Sequence, residues 1–251
     1  MSGTPLDPWA PLGRLPAARI ALGRAGGSLP TRAHLDFQLA HAQARDAVQH
    51  PADFTSIAAQ LSATGLTPVR VASAAPDRTT YLQRPDLGRR LSVEGAATVV
   101  ALARPGGCDL AIVIADGLSG FAAEAHAAPL AALVATRVAA AGWTIAPVVI
   151  VAQGRVAVGD EVGHRLGARM VLLLVGERPG LSSPDSLGAY LTWAPAPGRT
   201  DAERNCVSNI RPQGLPLAMA ADRICWLLLE GARRQLTGVG LKEEMDGGLL
   251  R

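Results

Sequence analysis

Charged and hydroxyl side chains follow three apolar, strand-like segments of this 251-residue chain, at the point where each segment ends. Asp116 and Ser119 follow the first segment, Arg155 follows the second, and Glu177 with Arg178 follows the third. Carboxylates accept hydrogen bonds and protons, whereas a guanidinium donates to carbonyl oxygens and anions. If these residues meet in one place, they can hold a polar ligand or perform acid–base chemistry on a small substrate.

The elements that must position these residues are apolar strands and alanine-rich helices, which alternate after residue 91. Continuous apolar strands separated by helices are typical of a mostly parallel sheet covered on both faces, so the pattern predicts an α/β, Rossmann-like fold. Ligands bind at the carboxyl ends of the strands in such sheets, where we expect the three polar loops to meet. The predicted strands are 110–115, 146–151, 170–175 and 189–193, and the predicted helices are 93–103, 122–141, 160–166 and 216–236.

The chain opens with a proline- and glycine-rich segment, residues 1–30, that differs from the rest. A helix capped at Thr31 is expected over residues 32–48, because the loop signals end there. Helical periodicity places four of its side chains on a common face. These are His34, Leu35, Leu39 and Ala42.

A short strand is expected at residues 68–73, followed by an arginine-rich loop at 79–90. The alternation of strands and helices begins only after this loop. We therefore expect residues 1–90 to form an N-terminal arm and helical segment, and residues 91–251 to form the α/β domain.

The charge pattern argues against nucleic-acid binding. Lysine and arginine together number 24 against 21 acidic residues, for a net charge of +3, and all but one of the 24 are arginines spread along the chain. Nucleic-acid-binding proteins instead concentrate their basic residues on one face. The single lysine, Lys242, lies in the C-terminal tail, which argues against a lysine Schiff base in a folded pocket.

The cysteine content and the hydropathy limit the cellular compartments in which the protein can reside. Cys108, Cys206 and Cys225 are far apart and form no CxxC pair, so neither a zinc site nor a redox dithiol is indicated, and a reducing compartment is the simplest interpretation. The N-terminus lacks a signal-peptide pattern, and no uncharged apolar run reaches the roughly 18 residues of a membrane span. We expect a protein that is neither secreted nor inserted in a membrane.

Each candidate residue also has a purely structural interpretation. Asp116 or Ser119 can cap the helix that follows the strand. Glu177 and Arg178 can form a surface ion pair, which contributes only about 0–1 kcal/mol.

GxGxxG is absent from the first strand–helix turn, and GxxxxGK[ST] and GxSxG are absent throughout, which argues against dinucleotide, phosphate-loop and esterase sites. The histidines have no acidic or cysteine partner at metal-ligand spacing, so packed or capping histidines are favoured.

Beyond these single residues, a set of segments resembles the small (light) subunit family of ethanolamine ammonia-lyase. The segments occur in the family's order, cover nearly everything from residue 10 to residue 237, and are specific as a set. They are RIALGRAG (19–26), YLQRPDLGRRL (81–91), IADGLS (114–119), GRV (154–156) with DEVGHRLGA (160–168), LLVGERPGL (173–181), DSLGAY (185–190) and CVSNIRPQGLP (206–216).

The resemblance implies a subunit of an adenosylcobalamin-dependent enzyme that converts ethanolamine to acetaldehyde and ammonia by a radical mechanism. In this family a separate large subunit binds ethanolamine, and the small subunit completes the cobalamin site at the interface. The corrinoid contacts implied for this chain are Val156, Glu177 and Cys206, with no catalytic residue or metal ligand of its own. The arm at 1–90 is expected to contact the large subunit, in an α6β6 assembly.

Two more expectations accompany the resemblance. Cobalamin enzymes that replace the cofactor's lower base with histidine carry DxHxxG, and here His164 follows Asp160 at a different spacing. We therefore expect base-on binding, with dimethylbenzimidazole retained on cobalt.

Some longer family members carry N-terminal extensions linked to delivery into a bacterial microcompartment. We expect a complex in the bacterial cytoplasm, with encapsulation through the large subunit as the alternative.

Two other classes of function are compatible with parts of the sequence. A stand-alone α/β enzyme acting on a small polar substrate would use Asp116, Arg155 and Glu177 directly and would need no partner. A non-catalytic scaffold subunit would fold without any affinity for a corrinoid. The arginine-rich residues 83–90 fit either a partner interface or a solvated loop.

Overall fold

A six-stranded sheet forms the centre of the computed structural model, which describes residues 9, 11–12, 19–24 and 27–242. The strands are β1 (Pro68–Ala72), β2 (Cys108–Ala115), β3 (Val148–Ala152), β4 (Ala168–Gly176), β5 (Leu187–Trp193) and β6 (Arg204–Ile210). Their order across the sheet is β1-β3-β2-β4-β5-β6. The first four in this order are parallel, whereas β5 and β6 are antiparallel to their neighbours. The predicted α/β fold with a mostly parallel sheet is confirmed.

Helices cover both faces of the sheet. They are α1 (Thr31–Gln49), α2 (Phe54–Ala63), α3 (Arg78–Gln83), α4 (Val93–Ala101), α5 (Gly120–Ala122), α6 (Ala128–Ala140), α7 (Val158–Arg165) and α8 (Leu217–Arg234). A π-helical segment, Ala123–Ala127, joins α5 to α6. Side chains of α2, α6 and α8 form one hydrophobic core with the sheet, and side chains of α4 and α7 form a second core on the opposite face.

The strand β2 shows why the central strands are apolar throughout. Its alternate residues face opposite layers of helices. Ile112 and Ile114 belong to the core shared with α2, α6 and α8, whereas Val113 and Ala115 belong to the core shared with α4 and α7. Because both faces are buried, no polar residue interrupts the strand, and its sequence is a continuous apolar run.

The N-terminal helix is present, and the common face predicted for His34, Leu35, Leu39 and Ala42 is not its buried face. Ala40 and Ala47 are its buried residues, whereas Leu35 and Leu39 are 56% and 59% exposed. The helix contacts α5, and the two leucines are more than half exposed in the described part of the chain. Thr31 is the first helical residue and not the cap, because Pro30 precedes the helix and no side chain caps it.

Several elements differ from the sequence predictions for identifiable reasons. The arginine-rich region contains the helix α3, whose first turn is capped by the Asp77 side chain, and a 3₁₀ turn at Leu87–Arg89. The helix α2 was not predicted, although Asp53 caps it by accepting from two backbone N–H groups. The strand β6 was also not predicted, because it is an edge strand in which only Arg204, Val207 and Ile210 are buried, and so it has no apolar run.

The boundary expected at residue 90 stays a prediction. The helices α1 and α2 precede it, as the expected arm requires. The strand β1 also precedes it, and β1 pairs with β3 over five residues of the central sheet. Residues on both sides of the boundary therefore share one sheet.

The loops after β2 and β4 touch through their backbones. Leu118 N–H donates to the carbonyl of Gly176 at 2.9 Å. Gly117 has φ of 58°, and a methyl carbon added to it would lie 2.2 Å from the Gly176 oxygen. A methyl carbon on Gly176 would lie 2.0 Å from the carbonyl oxygen of Ser119. Glycine is therefore required at both positions for the two loops to approach.

Gly117→Ala is expected to lower the free energy of unfolding by more than about 3 kcal/mol, because the backbone of β4 cannot yield without distorting the sheet. Gly65→Ala is the matched control. Gly65 also has a positive φ, of 81°, but nothing lies within 4 Å of an added methyl carbon, so only the strain of about 1–2 kcal/mol applies. Urea unfolding followed by circular dichroism measures both, and equal losses would contradict the close-approach account.

Candidate functional site

A cavity of about 990 Å³ opens at the edge of the sheet where β2, β3 and β4 end. Its walls combine several classes of side chain. The cavity is lined by apolar residues (Leu118, Val156, Ala157, Val175 and Pro197), by both tyrosines of the chain (Tyr81 and Tyr190), by six arginines (Arg89, Arg90, Arg155, Arg178, Arg199 and Arg204) and by three acids (Glu161, Glu177 and Asp201). Such a site offers apolar contact area together with many hydrogen-bond donors.

Most of the residues expected at this edge line the cavity. Val156 and Arg155 follow β3, and Glu177 and Arg178 follow β4. They meet because the carboxyl ends of parallel strands lie at one edge of the sheet. The topology therefore positions the loops as the sequence predicts.

Ser119 caps a helix, which is the structural alternative that the sequence left open. Its hydroxyl oxygen accepts a hydrogen bond from the Ala122 N–H at 3.2 Å, which caps α5. The same hydroxyl donates to the carbonyl of Pro184 at 2.7 Å. The side chain is fully buried and does not line the cavity.

Asp116 lies beneath the cavity and not in its wall. Only 3% of the residue is exposed, and its carboxylate accepts from the N–H groups of Gly117 at 3.1 Å and Gly154 at 3.2 Å. Burial raises the pKa of Asp116 to about 6, against the opposing effects of Arg78 at 3.6 Å and of the backbone donors. The carboxylate joins the loop after β2 to the loop after β3.

Arg78 and Tyr81 complete this support, and sequence reasoning missed both. Arg78 donates to the carbonyls of Val48 and Gly117, each at 2.7 Å, and so joins the end of α1 to the loop after β2. The guanidinium groups of Arg78 and Arg155 lie 4.7 Å and 4.5 Å from the centre of the Tyr81 ring. Burial raises the pKa of Tyr81 to about 12, so its phenol stays protonated. The only sequence signal for Tyr81 was its place in the family-like segment 81–91.

Glu177 lines the cavity, and one of its carboxylate oxygens has a structural role. Its Oε2 accepts from the Ser186 hydroxyl at 2.5 Å and from the Asn209 N–H at 3.1 Å. Oε1 has no hydrogen-bond donor among the residues that the structure describes. Gly188 gives Glu177 its room, since a methyl carbon there would lie 2.9 Å from Oε1. Arg178 is exposed and forms no ion pair with Glu177 in the described chain.

Cys206 adjoins the cavity wall without lining it. It lies on β6 directly opposite Tyr190 of β5, and the Tyr190 side chain lines the cavity. Partial burial raises the pKa of the Cys206 thiol, so the sulfur is neutral near pH 7. Burial also raises the pKa of Tyr190. Cys206 and Tyr190 therefore form an uncharged surface at the β6 side of the site.

The family comparison decides what kind of chain this is. Residues 6–242 match the model of a protein family described as "Ethanolamine ammonia-lyase light chain (EutC)". The chain belongs to the ethanolamine ammonia-lyase light-chain family. The match confirms the resemblance seen in the sequence and, with it, the expectation of an ammonia-lyase subunit.

Individual members of the light-chain family are similar over nearly the whole sequence. A protein named ethanolamine ammonia-lyase small subunit from Ralstonia nicotianae is 59% identical over 246 residues, which are 97% of this chain and 91% of the relative. Proteins of the same name from Pseudomonas syringae pv. tomato and Pseudomonas putida KT2440 are 57% and 59% identical over 245 residues. These matches cover 97% of this chain and 85% and 90% of the two relatives.

The buried carboxyl of this light-chain family member should make stability depend on pH. The folded chain keeps a proton on Asp116 up to about pH 6, whereas the unfolded chain loses it near the ordinary value of 3.8. The folded state therefore binds more protons between these values, and its stability should fall by roughly 3 kcal/mol as pH rises through them.

Asp116→Asn should remove this pH-dependent part of the stability, because an amide does not titrate in this range. It keeps an oxygen that can accept from the backbone N–H groups. Urea unfolding from pH 4 to pH 7 for wild type and variant measures the difference between their stabilities. We expect the difference to change steadily up to about pH 6 and then to level off. Parallel curves over the whole range would contradict the raised pKa.

Proposed function

We propose that this chain is the small subunit of an adenosylcobalamin-dependent ethanolamine ammonia-lyase and completes the cofactor site at the interface with a large catalytic subunit. The observation that carries the proposal is the cavity at the carboxyl edge of the sheet. In a member of this family, that cavity is lined by Val156 and Glu177 and adjoined by Cys206, the three residues for which the resemblance implies corrinoid contact.

The residues of the cavity suit the chemistry of a corrinoid. A corrin is a broad disc with apolar faces and a rim of neutral carboxamides, so its binder needs apolar contact area and a few hydrogen-bonding groups. Val156, Ala157 and Val175 supply apolar area beside the polar groups. Oε1 of Glu177 is an acceptor without a donor in the described chain, and it can accept from a carboxamide N–H.

In the proposed complex, the cofactor and the large subunit carry out the chemical step. When bound, adenosylcobalamin supplies a radical by homolysis of its cobalt–carbon bond, and the large subunit holds ethanolamine for conversion to acetaldehyde and ammonia. The residues of this chain bind and orient the cofactor. Glu177 anchors its rim, Val156 packs against it, and the neutral surface of Cys206 and Tyr190 excludes water at one side.

The exposed face of α1 supports a role for the arm in contacting the large subunit. Leu35 and Leu39, one turn apart on the same face, are 56% and 59% exposed within a helix of nineteen residues. Large apolar side chains grouped on a surface mark an interaction site. An α6β6 assembly in the bacterial cytoplasm, or enclosed in a microcompartment, is the arrangement that the resemblance implies. No helix in the described residues is long and apolar enough to cross a membrane.

Glu177→Gln is expected to raise the Kd for adenosylcobalamin about tenfold, because the amide oxygen keeps the contacts with Ser186 and Asn209 and an NH2 donor replaces the free acceptor at Oε1. The chain should be co-expressed with the large subunit, and cofactor binding measured by absorbance titration beside acetaldehyde formation. Glu94→Gln, at an exposed position of α4, is the matched control and should leave the Kd unchanged.

The same preparation tests the partner. We expect acetaldehyde formation to require both chains and the cofactor. Turnover of a substrate by this chain alone would instead favour a stand-alone α/β enzyme. Failure of the two chains to co-purify, with no corrinoid bound, would favour a scaffold subunit.

Base-on binding predicts that no histidine replaces the lower ligand of cobalt. All five histidines of the chain lie in the described residues, and none lines the cavity. Both chains should be labelled with nitrogen-15 histidine, and the paramagnetic resonance spectrum recorded with bound cob(II)alamin. We expect the nitrogen splitting to match that of the unlabelled complex. A change of splitting on labelling would place a histidine on cobalt and contradict the prediction.

A further inference from the structure

The six arginines of the cavity wall fall into two groups by their partners. Arg204 is buried and ion-paired with Asp160 and with Asp201, the latter at 2.7 Å. Arg199 is paired with Glu203 at 2.5 Å. These two guanidinium groups are neutralised within the chain and stabilise its own loops.

The other four are Arg89, Arg90, Arg155 and Arg178. None of them has a carboxylate within ion-pair distance in the described part of the chain. Of the three acids in the wall, Asp201 is paired with an arginine and Glu161 is paired with Arg165 at 2.8 Å. Only Glu177 remains to balance four cationic groups, so the cavity carries an excess of positive charge.

Three of these four arginines lie at one end of the cavity. The backbone N–H of Arg155 donates to the carbonyl of Gly88 at 2.7 Å, and a methyl carbon on Gly88 would lie 2.9 Å from Arg155 Cγ. The segment that carries Arg89 and Arg90 therefore lies directly against Arg155. Glu177 follows β4, two strands away from β3 and so about 10 Å across the sheet. The cavity has a cationic end and an acceptor end.

Arg155 is held in place with an unused donor. Its Nη2 donates to the Tyr81 carbonyl at 3.0 Å, and its guanidinium lies over the Tyr81 ring. Its Nε is buried against the protein and has no partner in the described chain, so it is closed to a ligand in the cavity. Its Nη1 forms no hydrogen bond or ion pair in the described chain, which leaves donors of this cavity-lining guanidinium available to an anion.

We propose that Arg89, Arg90 and Arg155 form a subsite for a phosphate ester. Guanidinium groups match phosphate oxygens in charge and geometry, and several converging on one cavity end select an anion over a neutral amide. On the function proposed above, the ester is the phosphodiester of the cofactor's nucleotide tail. This is the one anionic group of a cofactor whose rim is otherwise neutral carboxamide, and the rim then meets the acceptor end at Glu177.

Two truncated cofactors test the subsite by binding alone. Adenosylcobinamide lacks the phosphate, the ribose and the lower base, whereas adenosylcobinamide phosphate keeps the phosphate and lacks the ribose and the base. Each is titrated into the complex of both subunits and followed by absorbance. We expect the phosphate to tighten binding of the wild type at least tenfold, and Arg89→Gln and Arg90→Gln each to reduce that preference severalfold. Added salt should weaken the preference as well.

Arg104→Gln is the matched control, because Arg104 is exposed and precedes β2 at the opposite edge of the sheet. It should keep the full preference for the phosphate. Arg155→Lys keeps the charge but loses the planar donors, and should reduce the preference without unfolding the chain. Arg89 and Arg90 are exposed, so the result does not depend on a variant that disturbs the fold.

Each outcome decides a separate point. Equal binding of the two truncated cofactors by wild type would overturn the subsite and leave the proposed function standing. No binding of either, or of intact adenosylcobalamin in the same titration, would overturn the proposed function itself. An unchanged preference with weaker subunit association in the Arg89 and Arg90 variants would assign these arginines to the interface. Tight binding of inorganic phosphate without any cofactor preference would assign the subsite to free phosphate instead.

Discussion

One buried carboxylate holds together the loops on which the site depends. Asp116 accepts from the backbone of Gly117 after β2 and of Gly154 after β3, and Arg78 lies beside it. Burying a carboxylate is costly unless it is hydrogen-bonded or paired, so the loops can close over Asp116 only in an arrangement that brings these donors to it. Arg78 extends the same constraint to Val48 at the end of α1. The floor of the cavity is thus fixed before any ligand is considered.

The antiparallel extension of the sheet widens the site beyond what a parallel fold alone provides. Val156 follows β3, Glu177 follows β4, and Cys206 lies on β6, so the three span four strand spacings, or roughly 19 Å. Pockets for small molecules measure about 300–1,000 Å³, and the cavity lies at the upper end of this range. A broad ligand can contact all three positions at once, whereas a small polar substrate can reach only one or two. The dimensions therefore favour a corrinoid over the substrate of a stand-alone enzyme.

The sequence predicted the parts of the fold in which buried residues form a continuous apolar run. The strands β2, β3 and β4 are buried on both faces and are apolar runs, so their ends, and the loops after them, were predictable. The direction of an individual loop side chain was not. Asp116 and Arg155 both follow strands, yet the carboxylate turns inward to backbone donors while the guanidinium lines the cavity. The direction of each side chain depends on Arg78 and Tyr81. Tyr81 lies in residues 79–90, which were predicted to be an arginine-rich loop, and Arg78 directly precedes them.

The distribution of ion pairs separates arginines that stabilise the fold from arginines that are available for binding. The net charge of the whole chain is only +3, yet the cavity has a local excess of positive charge. Most of the guanidinium groups that the structure describes outside the cavity have carboxylate partners. Like charges gathered in a partly enclosed cavity repel one another and are screened less than charges on an open surface. Such an arrangement costs stability in the free chain and is relieved only when an anion enters. The unpaired arginines therefore point to binding, whereas Arg204, with two carboxylate partners, is sufficiently explained by the fold.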